Sequence, residues 1–164
     1  MDTRPTPSQT IGPFFAVGLP WLTTPSDGDV VVRGTVFDGD GVPVDDAMLE
    51  TWQGPAGGNM ALGAFRRVFA DGEGAFVLYT TRPMRVDDAQ APHIDVSIFA
   101  RGLLQRLVTR IYLSDDCDLE HPDDLLLDRV EPERRHTLIA RPDGDGYRFD
   151  IHLQGEQETV FLAW

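Results

Sequence analysis

Tyr147-Arg148-Phe149-Asp150-Ile151-His152-Leu153 alternates without a break: Tyr, Phe, Ile and Leu take every second place, with Arg, Asp and His between them. A period of two is the mark of a strand with one buried face, because successive side chains point to opposite sides of the backbone. The stretch follows Pro142-Asp143-Gly144-Asp145-Gly146, a tight turn, and beyond it Arg135 to Ala140 predicts the partner strand.

Working outward, the same pattern recurs. Val30 to Phe37 is predicted as a strand closed by Asp38-Gly39-Asp40-Gly41, and Val44 to Trp52 as the next. Phe65 to Phe69 and Ala75 to Thr81 flank the turn Asp71-Gly72-Glu73-Gly74. Ile94, Val96 and Ile98 share one face of a strand, as do Leu107, Thr109, Ile111 and Leu113, and Thr159 to Phe161 ends the series. Helix signals are confined to a short segment at Asp123 to Leu127, within the acidic stretch Asp115 to Val130. About eight short strands with turn signals at close spacing imply an all-β sandwich of two mainly antiparallel sheets. Residues 1–164 read as one domain, with 1–28 an extended N-terminal arm and loop. Trp52, Phe65, Phe76, Phe99 and Phe149 are the aromatic candidates for core or interface.

Bulk properties narrow the function. The chain has 164 residues, 41% of them hydrophobic, enough for a sizeable core. Its formal net charge of -13 argues against nucleic acid and against an anionic membrane surface as partners, since both require clustered Lys and Arg. The lone Cys117 makes neither an intrachain disulfide nor a thiolate metal cage. With no secretory leader and no membrane-spanning apolar run, the expected location is the cytoplasm. Asp115 to Glu120 lacks the ligand spacing of a Ca2+ loop, Ser8 and Ser97 have no His-Asp set, and Gly57-Gly58 is too short to cradle a phosphate.

Several segments together resemble the intradiol ring-cleaving dioxygenases. They are Thr6 to Phe14 as the opening arm, Glu50-Thr51-Trp52-Gln53 as an E-x-W-Q strand, and Ala91-Pro92-His93-Ile94 as the strand that carries histidine ligands. Leu107 to Tyr112 resembles the strand after it, and Arg134 to Ala140 with Tyr147 to Ile151 and Gln154 to Phe161 resembles the metal-free chain of the two-subunit members. The resemblance implies a ferric site of two tyrosines and two histidines. On this chain those positions fall at Met60, near Val86, and at His93 and Asp95, so three of the four are changed. Methionine is a soft thioether and a poor donor to Fe3+. The existing tyrosines, Tyr79, Tyr112 and Tyr147, lie within predicted strands and read as packing residues with a wet hydroxyl.

The resemblance therefore implies a chain with no catalytic or metal-binding residue of its own. A homologous β subunit would bind the Fe3+, in αβ units of a larger oligomer that opens protocatechuate with O2 to 3-carboxy-cis,cis-muconate. Thr10, Gly12, Pro13, Phe14 and Arg110 are the positions expected to line the substrate pocket. Gly12 allows close backbone approach, Pro13 fixes direction, Phe14 offers an apolar face, and Arg110 is a fixed cation on an acidic protein. Two alternatives stay open: a β-sandwich scaffold or binding module with no catalytic partner, and an Fe2+ enzyme using His93 and Asp95.

Overall fold

The computed structural model describes residues 5–12, 15–19, 28–54, 65–118, 120 and 123–163. Among the described residues nine strands carry the fold: β1 (Val30–Phe37), β2 (Met48–Trp52), β3 (Arg66–Phe69), β4 (Ala75–Thr80), β5 (Ile94–Phe99), β6 (Leu107–Leu113), β7 (Ile139–Asp143), β8 (Gly146–Arg148) and β9 (Ile151–His152). Their spatial order is β3-β2-β5-β6-β7-β8-β1-β4, with β9 also paired to β1. The antiparallel set β3-β2-β5-β6 meets the mixed set β7-β8-β1-β4 through a short parallel β6–β7 pairing at Tyr112↔Ile139 and Leu113↔Ala140. β1 runs parallel to both β8 and β9. The inward rows of both sets share one core, including Val32, Leu49, Phe76, Ile94, Ile98, Ile111 and Ile151. This is the all-β sandwich that the alternating pattern predicts.

Strand ends differ from the sequence reading for local reasons. Val44 to Ala47 is not strand: Val44 N bonds Val36 O, Pro43 bridges Phe37, and a turn at Asp45–Asp46 precedes β2. The predicted strand at Arg135 begins instead as a 3-10 turn over Arg135–Leu138, where Thr137 Oγ1 donates to Arg134 O at 2.9 Å. The Tyr147 to Leu153 run is split into β8 and β9, since Phe149 N turns to Arg33 O. Thr159 to Phe161 is not in a ladder of its own, although Thr159 N bonds His152 O and Leu162 N bonds Val108 O. In the N-terminal segment a single helical turn, α1 (Phe15–Gly18), follows the arm.

The second helix, α2 (Leu125–Arg129), starts two residues later than its sequence signal because Asp124 is its N-cap. The Asp124 side chain accepts from Leu126 N and Leu127 N, both at 2.8 Å, satisfying two donors that have no partner inside the helix. With the 3-10 turn, α2 roofs the outer face of β6. Leu127 and Leu138 pack there with Tyr112, Ala91 and Ile139 in a second, smaller apolar cluster. β6 is consequently buried on both faces: Ile111 and Leu113 look into the main core, Tyr112 into the small one. Among the described residues no helix is long and apolar enough to cross a membrane.

Candidate functional site

The outer face of the β5–β6 hairpin carries the polar residues that the pattern of the inner face leaves over. Ile94, Val96 and Ile98 point into the core, so His93 and Asp95 share the opposite side. The ladder sets Asp95 directly across from Arg110. Arg110 Nε donates to Asp95 Oδ1 at 2.9 Å, and its Nη2 to Gln90 Oε1 at 2.8 Å. Its Nη1 lies 3.9 Å from Asp124 Oδ2 but donates no hydrogen bond within the described residues. The Arg110 side chain is 7% exposed and Asp124 is fully buried. Burial opposes the Arg110 charge, yet the neighbouring Tyr112 hydroxyl and Asp95 carboxylate outweigh it and strengthen its hold on the proton. Burial likewise pushes against ionisation of Asp95, but His93 and Arg110 together keep its carboxyl below the ordinary 3.8.

Asp124 closes the network. Its Oδ2 accepts from Ala91 N at 2.9 Å and from the Tyr112 hydroxyl at 3.2 Å. His93 Nδ1 stands 2.7 Å from Ala91 O, and its ring is tilted against that of Tyr112 at 5.8 Å between centroids. His93 Nε2 is 3.7 Å from Asp95 Oδ2, close enough for charge but too far for a hydrogen bond. The pair is thus not joined ring to carboxylate: Arg110 has taken the carboxylate.

Beside this network lies a cavity of about 480 Å3 lined by Gln90, Arg110, Leu125, Arg129, Val130 and Leu162 among others. A larger one, about 760 Å3, sits by the β7–β8 hairpin with His136, Arg141, Arg148 and His152, and holds none of the predicted site residues. The arm lies elsewhere on the hairpin. Thr10 Oγ1 accepts from Gly102 N at 2.7 Å, which ties it to the β5–β6 turn, whereas Asp95 and Arg110 are at the open end. Gly12 is exposed, with open space where a Cβ would stand. Val86 is 55% exposed and covers Gly54. Pro13, Phe14 and Met60 lie outside the described residues. The sequence reading did not single out Gln90, Asp124 or the Tyr112–Asp124 contact. Two signals were available: Tyr112 is two places from Arg110 on one strand, and Asp124 immediately precedes Leu125-Leu126-Leu127.

A protein from Burkholderia cepacia named protocatechuate 3,4-dioxygenase alpha chain is 38% identical to this chain, over 97% of both. One of the same name from Pseudomonas putida is also 38% identical, over 96% of this chain and 95% of its own. The chain belongs to the family of protocatechuate 3,4-dioxygenase alpha chains. A Burkholderia cepacia protein named protocatechuate 3,4-dioxygenase beta chain is 30% identical over 79% of this chain and 66% of its own length. Among solved structures, the dioxygenase domain of a dioxygenase–carbohydrate-binding protein fusion from Streptomyces sp. SirexAA-E is 25% identical. It covers 81% of this chain and 84% of that one, with a TM-score of 0.59. Hydroxyquinol 1,2-dioxygenase from Pseudomonas putida DLL-E4 shares the fold at 20% identity and a TM-score of 0.57, covering 95% and 68%. No family model matches the chain.

As an alpha chain, does it have the donors for iron? Ferric iron is a hard cation and prefers anionic oxygen donors. Asp95 is one, but a guanidinium already stands at hydrogen-bond distance from it, and a second cation there would be repelled. Tyr112 is the nearest phenol described, and burial pushes its ionisation far above the ordinary 10 while Asp124 holds its proton. Among the described residues no three His, Cys, Asp or Glu side chains are placed to hold a metal. The described residues do not fit a ferric ion.

Proposed function

We propose that this chain is the metal-free half of a heteromeric intradiol dioxygenase, and that it forms one wall of a pocket whose iron is bound by a homologous beta chain. In this reading the complex opens protocatechuate with O2 to 3-carboxy-cis,cis-muconate. Arg110 supplies a cation for the substrate carboxylate, and Thr10, Gly12, Pro13 and Phe14 supply the arm that edges the pocket. The single observation that carries the reading is Arg110 Nη1. It is a buried nitrogen of a permanent cation, with no hydrogen-bond acceptor among the described residues, on a residue that lines a largely apolar cavity next to α2. A planar aromatic acid suits such a place: apolar walls for the ring, a guanidinium for the carboxylate. The similarity of this chain to both alpha and beta relatives supports a pairing of like folds.

Co-expression with a beta chain that carries the Tyr, Tyr and His-x-His set tests it. A stable complex with protocatechuate turnover is expected, and neither chain alone should turn over. Arg110→Gln in the complex should raise KM for protocatechuate by about tenfold to a hundredfold, the worth of one charge-assisted hydrogen bond, and affect unsubstituted catechol less. Absence of both complex and turnover would leave the scaffold reading in its place.

A further inference from the structure

His93, just before β5, and Asp95, on its outer face, stand where the resemblance puts metal donors, and a cation does stand before them. It is a side chain. We propose that the Arg110 guanidinium is a built-in replacement for a metal cation: it supplies the positive charge that this face of the hairpin requires, and by holding that place it shuts divalent metals out. This goes beyond the reading of the chain as a pocket wall and does not depend on it.

Three observations carry the inference. Register places Arg110 opposite Asp95, and Nε meets Oδ1 at 2.9 Å. The same guanidinium reaches Gln90 at 2.8 Å, and Asp124 at 3.9 Å, so two carboxylates face one buried cation. Its charge cannot be discharged, since arginine does not give up its proton in proteins. A metal bridging His93 Nε2 and Asp95 Oδ2, now 3.7 Å apart, would have to sit within a few ångströms of that charge. Remove the guanidinium, and an imidazole and a carboxylate on neighbouring outward positions of one strand are left facing a void. A nitrogen and an oxygen donor of that kind suit Co2+ or Zn2+, with water completing the shell.

The test is a Co2+ titration of the full chain, read by visible absorption and calorimetry. Wild type should bind Co2+ weakly. Arg110→Gln should bind at least about fivefold tighter, the repulsion expected between two unit charges about 4 Å apart in a water-like medium. Asp95→Asn in that background should abolish the gain. Arg110→Lys keeps the charge and should stay as weak as wild type. Equal affinity in Arg110→Lys and Arg110→Gln would overturn the proposal, because shape and not charge would then be the barrier. A folded Arg110→Gln with wild-type affinity would overturn it too. Should Arg110→Gln not fold, Asp95→His carries the test. It rebuilds His-x-His with Arg110 in place, and should still bind Co2+ no better than wild type; tight binding there would refute the idea. An Arg110 that only braced the fold would leave all these affinities unmoved.

Discussion

Two networks in this molecule are built from the same parts and differ only in their surroundings. In one, Arg110 faces Asp95 and Asp124, and Tyr112 donates to Asp124. In the other, Arg82 faces Asp115 and Asp116, and Tyr147 donates to Asp115 at 2.7 Å. Arg110 and Asp124 are 7% and 0% exposed, Arg82 and Asp115 44% and 48%. Water reaches the cation and one of its carboxylates in the second set, and neither the cation nor Asp124 in the first. The contacts have similar lengths, yet a partner lost at Asp124 has no water to replace it. The lesson is that α2 and the 3-10 turn, which cover the outer face of β6, decide which of two similar networks the fold depends on.

The sharpest way to break the buried network is Asp124→Ala. It deletes the cap of α2, the acceptor for Ala91 N and Tyr112, and one counter-charge of Arg110. Chemical denaturation should show a loss of about 3–5 kcal/mol. Arg110→Ala comes next. It strands Asp95, but that carboxylate is 35% exposed and water takes up part of the deficit, so a loss of about 2–4 kcal/mol is expected by the same measurement. If it proved neutral, the two networks would be equivalent and the comparison would fail.

Acid separates them less sharply. Asp95 titrates below its ordinary 3.8 in the folded chain, with the opposing effect of burial overcome by His93 and Arg110. A carboxyl with a depressed folded value binds fewer protons folded than unfolded. Its stabilisation is therefore complete only well above 3.8 and is lost as the pH falls through the lower, folded value. A pH series of urea midpoints should show that decline, and Asp95→Asn should flatten part of it. Smallest of all is Arg82→Ala. With the guanidinium itself 44% exposed it should change stability by about 0–1 kcal/mol, an effect that shrinks further in molar salt.

Much of this was legible in the sequence. The alternation of Tyr147 to Leu153, and the inward rows of β5 and β6, follow from a side-chain period of two and are seen as strands on one core. Strand boundaries were less legible, because Thr137 and Asp124 satisfy backbone groups locally and turn predicted strand or helix into a 3-10 turn and a cap. The loss of donors at His93-Ile94-Asp95 could be read directly, but what replaced them could not. Pairing Asp95 with Arg110 depends on the register of a hairpin, and joining Asp124 to Tyr112 depends on a helix folding back over a strand. Neither is a property of any single stretch of residues.

Asp124 accepts four donors at once, from Leu126 N, Leu127 N, Ala91 N and the Tyr112 hydroxyl. One carboxylate therefore welds the start of α2 to the segment entering β5. Those elements cannot fray separately, so their amide protons will exchange with solvent through a single shared opening, and any drift at one end of the weld is felt at the other.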